Sequence, residues 1–143
     1  MIKAIIFDCF GVVLDVMRNT RNEPVIELIR SLRPKYQVGM LSNVRGRRSL
    51  DERFQDGELD VLFDVVVASG DIGFEKPDPE IYTMTAAKLG VSPEECLFVD
   101  DIPEFCIAAE SVGMKSFRFV SSEQSLDELK QLISEFDKKG QNH

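Results

Sequence analysis

Ile2-Lys3-Ala4-Ile5-Ile6-Phe7-Asp8 is a short, nearly continuous apolar run that ends on a carboxylate. Apolar residues at consecutive rather than alternating positions predict a strand covered on both faces, which in turn requires helices on either side of a sheet. The sequence downstream supplies them. Val25, Leu28, Ile29 and Leu32 recur at helical spacing, with Asn22 as a candidate cap, Pro24 in the first turn and Pro34 as the stop. Tyr36 to Leu41 reads as a second strand ending at Ser42. The polar stretch Arg45 to Gln55 contains a helix, and Asp64 to Ala68 forms a third strand. Asp78-Pro79 opens a helix carrying Ile81, Tyr82, Met84, Ala86 and Leu89, closed by Gly90. Cys96 to Val99 is the fourth strand, Pro103 to Val112 a helix closed by Gly113, and Lys115 to Val120 the fifth strand. Leu126, Leu129, Leu132, Ile133 and Phe136 make the inner face of a last helix.

Five strands alternating with helices predict an α/β fold: a three-layer, doubly wound (Rossmann-like) sheet of about five parallel strands in the order 3-2-1-4-5, joined by right-handed crossovers. One domain is expected over residues 1–137, followed by a polar tail, residues 138–143, expected to fray. The chain's 143 residues, 43% apolar and 29% charged, suit one soluble domain with a real core. Its net charge of −8 argues against nucleic acid or an anionic membrane as partner. No apolar run reaches the roughly 20 residues of a membrane span. Met1 leads straight into the first strand with no signal-peptide anatomy, and the three cysteines, Cys9, Cys96 and Cys106, suggest no disulfide framework, so the cytoplasm is the expected location. The sole histidine is His143, which excludes Ser-His-Asp and Cys-His catalysis and multi-histidine zinc sites.

In a doubly wound sheet, ligands sit beyond the carboxyl ends of the strands, where strand order reverses. The residues there are Asp8, Ser42-Asn43, Ser69-Gly70 and Asp100-Asp101, with Lys76 a few positions past the third strand. If strands one and four are neighbours, Asp8 faces the Asp100-Asp101 pair, and carboxylates that close need compensation. A hard divalent cation such as Mg²⁺ gives it with oxygen ligands. Lys76, the Ser42 hydroxyl and backbone N–H groups would cradle phosphate oxygens. Singly, each residue has a plainer reading, since an Asp after a strand is ordinarily a turn or cap. Four such groups at the ends of successive strands point to phosphate chemistry.

These residues lie in four ordered segments that resemble the motifs of the haloacid dehalogenase-like (HAD) hydrolase superfamily. Ile5-Ile6-Phe7-Asp8-Cys9-Phe10-Gly11-Val12-Val13-Leu14 looks like the first motif, and Met40-Leu41-Ser42-Asn43 is similar to the second. Gly73-Phe74-Glu75-Lys76-Pro77-Asp78-Pro79-Glu80-Ile81-Tyr82 resembles the third, and Leu97-Phe98-Val99-Asp100-Asp101 the fourth. The resemblance implies that Asp8 attacks phosphorus, forming an aspartyl-phosphate that water hydrolyses. It implies that Asp8, the Phe10 carbonyl and Asp101, supported by Asp100, hold Mg²⁺. Ser42, Asn43 and Lys76 would bind the phosphorylated substrate, with Lys76 also catalytic.

The sequence departs from that pattern twice. Phosphatases of this family carry a second Asp two residues after the nucleophile, as general acid and base, and here the position holds Phe10. A slow phosphatase is therefore expected. A member that binds phosphate or a protein without useful turnover is the main alternative, and a dehalogenase a lesser one. A phospho-accepting receiver is disfavoured because receivers begin with the acidic pair. Second, Asp8 and Ser42 are only 34 positions apart, too close for the helical cap domain that relatives insert there. The site is expected to be open. That suits a large substrate such as a phosphoprotein, or a homo-oligomer whose partner covers the mouth; a phosphorylated small molecule is the other kind of substrate expected. Arg18, Arg21, Arg45, Arg47 and Arg48 fall in segments expected to flank that mouth. They would either steer anions or, more plainly, pair with Asp51, Glu52 and other carboxylates. Cys9, with no histidine to activate it, is expected to pack rather than react.

Overall fold

The computed structural model describes residues 1–141. Five strands, β1 (Ala4–Phe7), β4 (Gln37–Ser42), β5 (Val65–Ala68), β6 (Cys96–Asp100) and β7 (Lys115–Arg118), form one sheet in the order β5-β4-β1-β6-β7. Every pairing in it is parallel. This is the expected order, with strand order reversing on either side of β1. The apolar run reads as it does because β1 has core on both sides. Ile5, Phe7, Val38, Met40, Leu97 and Val99 point into one layer, while Ala4, Ile6, Leu41, Val67 and Phe98 point into the other. Helices α1 (Glu23–Leu32) and α7 (Glu123–Gln141) cover the first face, and α5 (Pro79–Lys88) and α6 (Pro103–Ser111) the second.

Local signals set the helix ends. The Asn22 side chain accepts from the Val25 N–H at 3.4 Å, and Pro24 sits in the first turn of α1. Gly90 and Gly113, both at positive φ, turn the chain after α5 and α6. Helix α7 continues through Lys138 and Lys139 to Gln141, into the segment expected as a tail, beyond an anchor formed by buried Phe136. Asn142 and His143 lie outside the described residues.

Three short helices lie between β4 and α5: α2 (Arg47–Asp51), α3 (Glu58–Leu62) and α4 (Ser69–Ile72). The link between β1 and α1 holds a two-stranded antiparallel hairpin, β2 (Leu14–Asp15) with β3 (Thr20–Arg21). Nothing else stands between β1 and α1, so no cap domain is inserted there. No helix among the described residues is long and apolar enough to cross a membrane.

Candidate active site

The register of the sheet brings the acidic strand ends together. Phe7 lies opposite Met40 on β4 and Val99 on β6, and the Asp8 N–H donates to the Val99 carbonyl at 2.9 Å. Asp8 therefore stands beside Asp100, with Ser42 at the end of the neighbouring strand. Asp8, Asp100 and Asp101 each place a carboxylate oxygen within 4.8 Å of the others.

Lys76 enters this cluster from the loop between α4 and α5. It is almost fully buried, and its ammonium donates to Asp8 Oδ1 at 2.9 Å and Asp100 Oδ2 at 2.8 Å. The rings of Phe105 and Phe98 flank it, with centroids 5.0 and 5.7 Å from Nζ. Asn43 fixes the loop that delivers it. Its amide donates to the Lys76 carbonyl at 3.0 Å and its oxygen accepts from the Lys76 N–H at 2.9 Å. The second oxygen of Asp100 accepts from the Ile102 N–H at 3.0 Å. Ser42 is buried, and its hydroxyl is taken up by no hydrogen bond among the described residues.

Three carboxyl groups gather around one ammonium in a largely buried pocket. Burial, reinforced by Asp100 and Asp101, pushes the Asp8 carboxyl up to about 7 against the pull of Lys76. Asp101 is raised as well, by its own burial and then by Asp100. Asp101 Oδ1 is also buried without a hydrogen-bond partner, which makes it an orphaned acceptor. Beside it, Gly11 adopts φ +95°, and a Cβ there would come within 2.4 Å of Asp101 Oδ2. Only glycine lets the loop after β1 approach this carboxylate so closely. That loop folds onto the Cys9 carbonyl, which accepts from Val12, Val13 and Leu14, while the Phe10 carbonyl accepts none of these bonds. The donors left over are all hard oxygens, and this set fits a divalent cation of the Mg²⁺ type.

Burial pushes the Cys9 thiol up to about 12, so it stays protonated and packs in the core, as expected. Among the arginines the plainer reading holds for three. Arg21 pairs with Glu23 and Glu58, Arg47 with Asp51 and Asp60, and Arg48 with Glu52. Arg18 and Arg45 join no ion pair among the described residues.

Sequence reasoning missed Arg53 and Asn19. The Arg53 guanidinium lies over the Phe10 ring, 5.6 Å from its centroid, and donates to Asn19 Oδ1 at the hairpin tip. Asn19 has φ +52°, the single non-glycine residue in the left-handed region among those described. These contacts span 43 and 34 positions, so no local pattern announces them; the one available signal is the tolerance of Asn for that conformation.

A family model described as haloacid dehalogenase-like hydrolase matches residues 20–113. The match takes in Ser42, Lys76, Asp100 and Asp101 and begins after Asp8. The chain is 38% identical over 104 residues to phosphatase MT3486 of Mycobacterium tuberculosis, covering 73% of this chain and 47% of that protein. It is 33% identical over 95 residues to pyrophosphatase PpaX of Bacillus cereus, covering 66% and 44%. It thus spans about half the length of the curated relatives it matches. Among solved structures, the HAD family enzyme bt-2542 of Bacteroides thetaiotaomicron, in complex with magnesium and inorganic phosphate, superposes with a TM-score of 0.73. That likeness has 18% identity and covers 86% of this chain and 96% of that one.

Proposed function

The chain belongs to the haloacid dehalogenase-like hydrolase family, and from that premise we propose that it is a magnesium-dependent phosphatase working through an aspartyl-phosphate on Asp8. The observation that carries this reading is the buried cluster itself. Asp8 is held on one oxygen by Lys76, beside an Asp101 oxygen that has no protein partner. The names of the two relatives, a phosphatase and a pyrophosphatase, agree with it.

In this reading Asp8, Asp101 and the Phe10 carbonyl would hold Mg²⁺, with Asp100 in support. Bound there, the ion would offset the charge of the carboxylates and of the phosphoryl oxygens that otherwise repel them. Asp8 is the nucleophile. Lys76 has three donors, two of them committed to Asp8 and Asp100; the third, with the Ser42 hydroxyl, would be left for the phosphoryl group. Asn43 serves by positioning, since both ends of its amide hold the Lys76 backbone. Phe10 gives no proton to a leaving oxygen, so turnover of alkyl phosphates is slow, by about 10²–10⁴-fold against a site with a carboxylate there. With only a hairpin above the strands, the site accepts a phosphorylated small molecule or an exposed phosphorylated side chain. A second copy of the chain would serve as its cover. Three free buried thiols suit a reducing compartment, the cytoplasm.

Phosphate release from para-nitrophenyl phosphate tests the reading. Release should require Mg²⁺, stop with EDTA and fall at least about 10²-fold in Asp8→Asn. Equal rates in the wild type and Asp8→Asn overturn it. Mg²⁺ and phosphate binding without Asp8-dependent release would favour a binding protein in its place, the reading to which Phe10 also lends weight.

A further inference from the structure

We propose that Arg53, laid across the Phe10 ring and tethered to Asn19, binds the departing group of the substrate, so that the preferred substrates are phosphoanhydrides or acyl phosphates, whose leaving oxygen departs as a stable anion. The inference rests on the Asp8 reading given above and adds the substrate class.

Phe10 lies two residues past Asp8, on the same tight loop. A phenyl ring offers no proton, and an alkoxide departs badly without one. A phosphate or carboxylate departs unprotonated and needs instead a positive charge to receive it. The structure sets that charge on Phe10 itself, because the Arg53 guanidinium lies over its ring. Arg53 is exposed and joins no ion pair among the described residues, although Asp51 and Glu52 precede it directly and the chain as a whole is strongly acidic. Its neighbours Arg47 and Arg48 both do pair with carboxylates. One of its N–H groups is taken by Asn19, which leaves the rest of a planar fork suited to carboxylate and phosphate oxygens. Asn19 reaches it from a left-handed backbone at the tip of the hairpin, a conformation that asparagine tolerates. The Phe10 ring lies under the guanidinium, and Asn19 holds one of its N–H groups. Together they hold a flexible side chain against Phe10, two residues along the chain from Asp8.

The chemistry balances without a general acid. An Asp8 oxygen forms a bond to phosphorus while the bond from phosphorus to the leaving oxygen breaks. The electron pair goes with that oxygen, as a phosphate or carboxylate anion, toward Arg53. Water then attacks the phosphorus of the aspartyl-phosphate, and the pair of the breaking bond returns to the Asp8 carboxylate. The proton of the water leaves to the solvent, and inorganic phosphate is released.

Steady-state phosphate release with Mg²⁺ tests this, with inorganic pyrophosphate, acetyl phosphate, para-nitrophenyl phosphate and glycerol 3-phosphate as substrates. The wild type should favour pyrophosphate or acetyl phosphate over glycerol 3-phosphate. In Arg53→Gln the kcat/KM for the favoured anhydride, divided by that for para-nitrophenyl phosphate, should fall about tenfold or more. Arg53→Lys should recover part of the ratio, and Arg48→Gln, at a paired and exposed arginine, should leave it alone. A selective fall for pyrophosphate assigns diphosphates; one for acetyl phosphate assigns acyl phosphates. Asp8-dependent release whose ratio does not move in Arg53→Gln, or a wild type that turns over glycerol 3-phosphate as well as the anhydrides, overturns the inference alone. No Asp8-dependent release from any of the four overturns the Asp8 reading and the inference with it.

Discussion

In the proposed mechanism the side chain two positions after Asp8 decides how much of the reaction the protein can assist, and substituting it gives a graded test. Phe10→Asp restores a group able to give and take a proton, so kcat/KM for glycerol 3-phosphate with Mg²⁺ should rise. Such assistance is typically worth about 10²–10⁴-fold, but the gain here should stay at the low end. The new carboxylate would lie beside Arg53, and an adjacent cation holds a carboxyl ionised when it is needed protonated. Adding Arg53→Gln to Phe10→Asp should therefore raise the rate further, and a double variant no faster than Phe10→Asp would count against the contact. Most of the individual residues at this site could be read from the chain. Asp8, Ser42, Asp100 and Asp101 sit at strand ends, and the ends of parallel strands converge whatever the details of packing. Asn43 was legible only as a position, since its two bonds to Lys76 bridge 33 residues. Arg53 and Asn19 lie in irregular segments, where no period relates a residue to its neighbours in space.

The hairpin β2–β3 owes its position to one ion pair as much as to its own two-residue strands. Arg21 grips Glu58 at the start of α3 with two bonds, of 2.6 and 2.7 Å, across 37 positions, and the carboxylate is largely shielded from solvent. The hydrogen bonds from Arg21 hold the Glu58 carboxyl below the usual range. For an acid whose folded pKa is depressed, the stabilisation is present above the unfolded pKa, about 4.3, and is lost as pH falls through the folded value. Glu58→Gln should therefore destabilise the protein by roughly 1–2 kcal/mol at pH 7 in urea unfolding. The gap to wild type should close in acid, below about pH 4; a gap independent of pH would mean that packing, not charge, ties the hairpin down. Elements of this size mark the limit of what the sequence discloses. The inner sheet strands and the long helices announce themselves because they bury apolar residues, as α1 does with Val25, Leu28, Ile29 and Leu32, whereas β7 at the sheet edge is no more than half-buried. A two-residue strand such as Thr20–Arg21 buries no face and shows no alternation, and α3 and α4 are too short for a helical period to register.

Across the whole protein, charge is distributed against stability, as the proposed cation site would require. The chain carries −8, and its most buried ionisable cluster adds three carboxylates to a single ammonium. Folding without a metal must hold this excess in a poorly solvated pocket, which is why burial raises both Asp8 and Asp101. Asp101→Asn removes one of those charges at nearly constant shape, and the metal-free protein should then be more stable, by about 1 kcal/mol or about 3 °C in melting temperature. Mg²⁺ should act unequally on the two proteins. An ion that binds only the folded state stabilises it by RT ln(1 + [L]/Kd), about 1.4 kcal/mol at ten times Kd, or about 3–5 °C here. The wild type should show that rise, and Asp101→Asn, lacking the charge at the orphaned oxygen, should lose most of it. Scanning calorimetry of both proteins in EDTA and in millimolar MgCl₂ reads the two effects together. A crossing, with the variant ahead in EDTA and the wild type gaining in Mg²⁺, assigns the buried negative charge to metal binding. An equal Mg²⁺ increment in both would mean that the ion binds elsewhere on an acidic surface, and the cluster at the strand ends would lose its explanation.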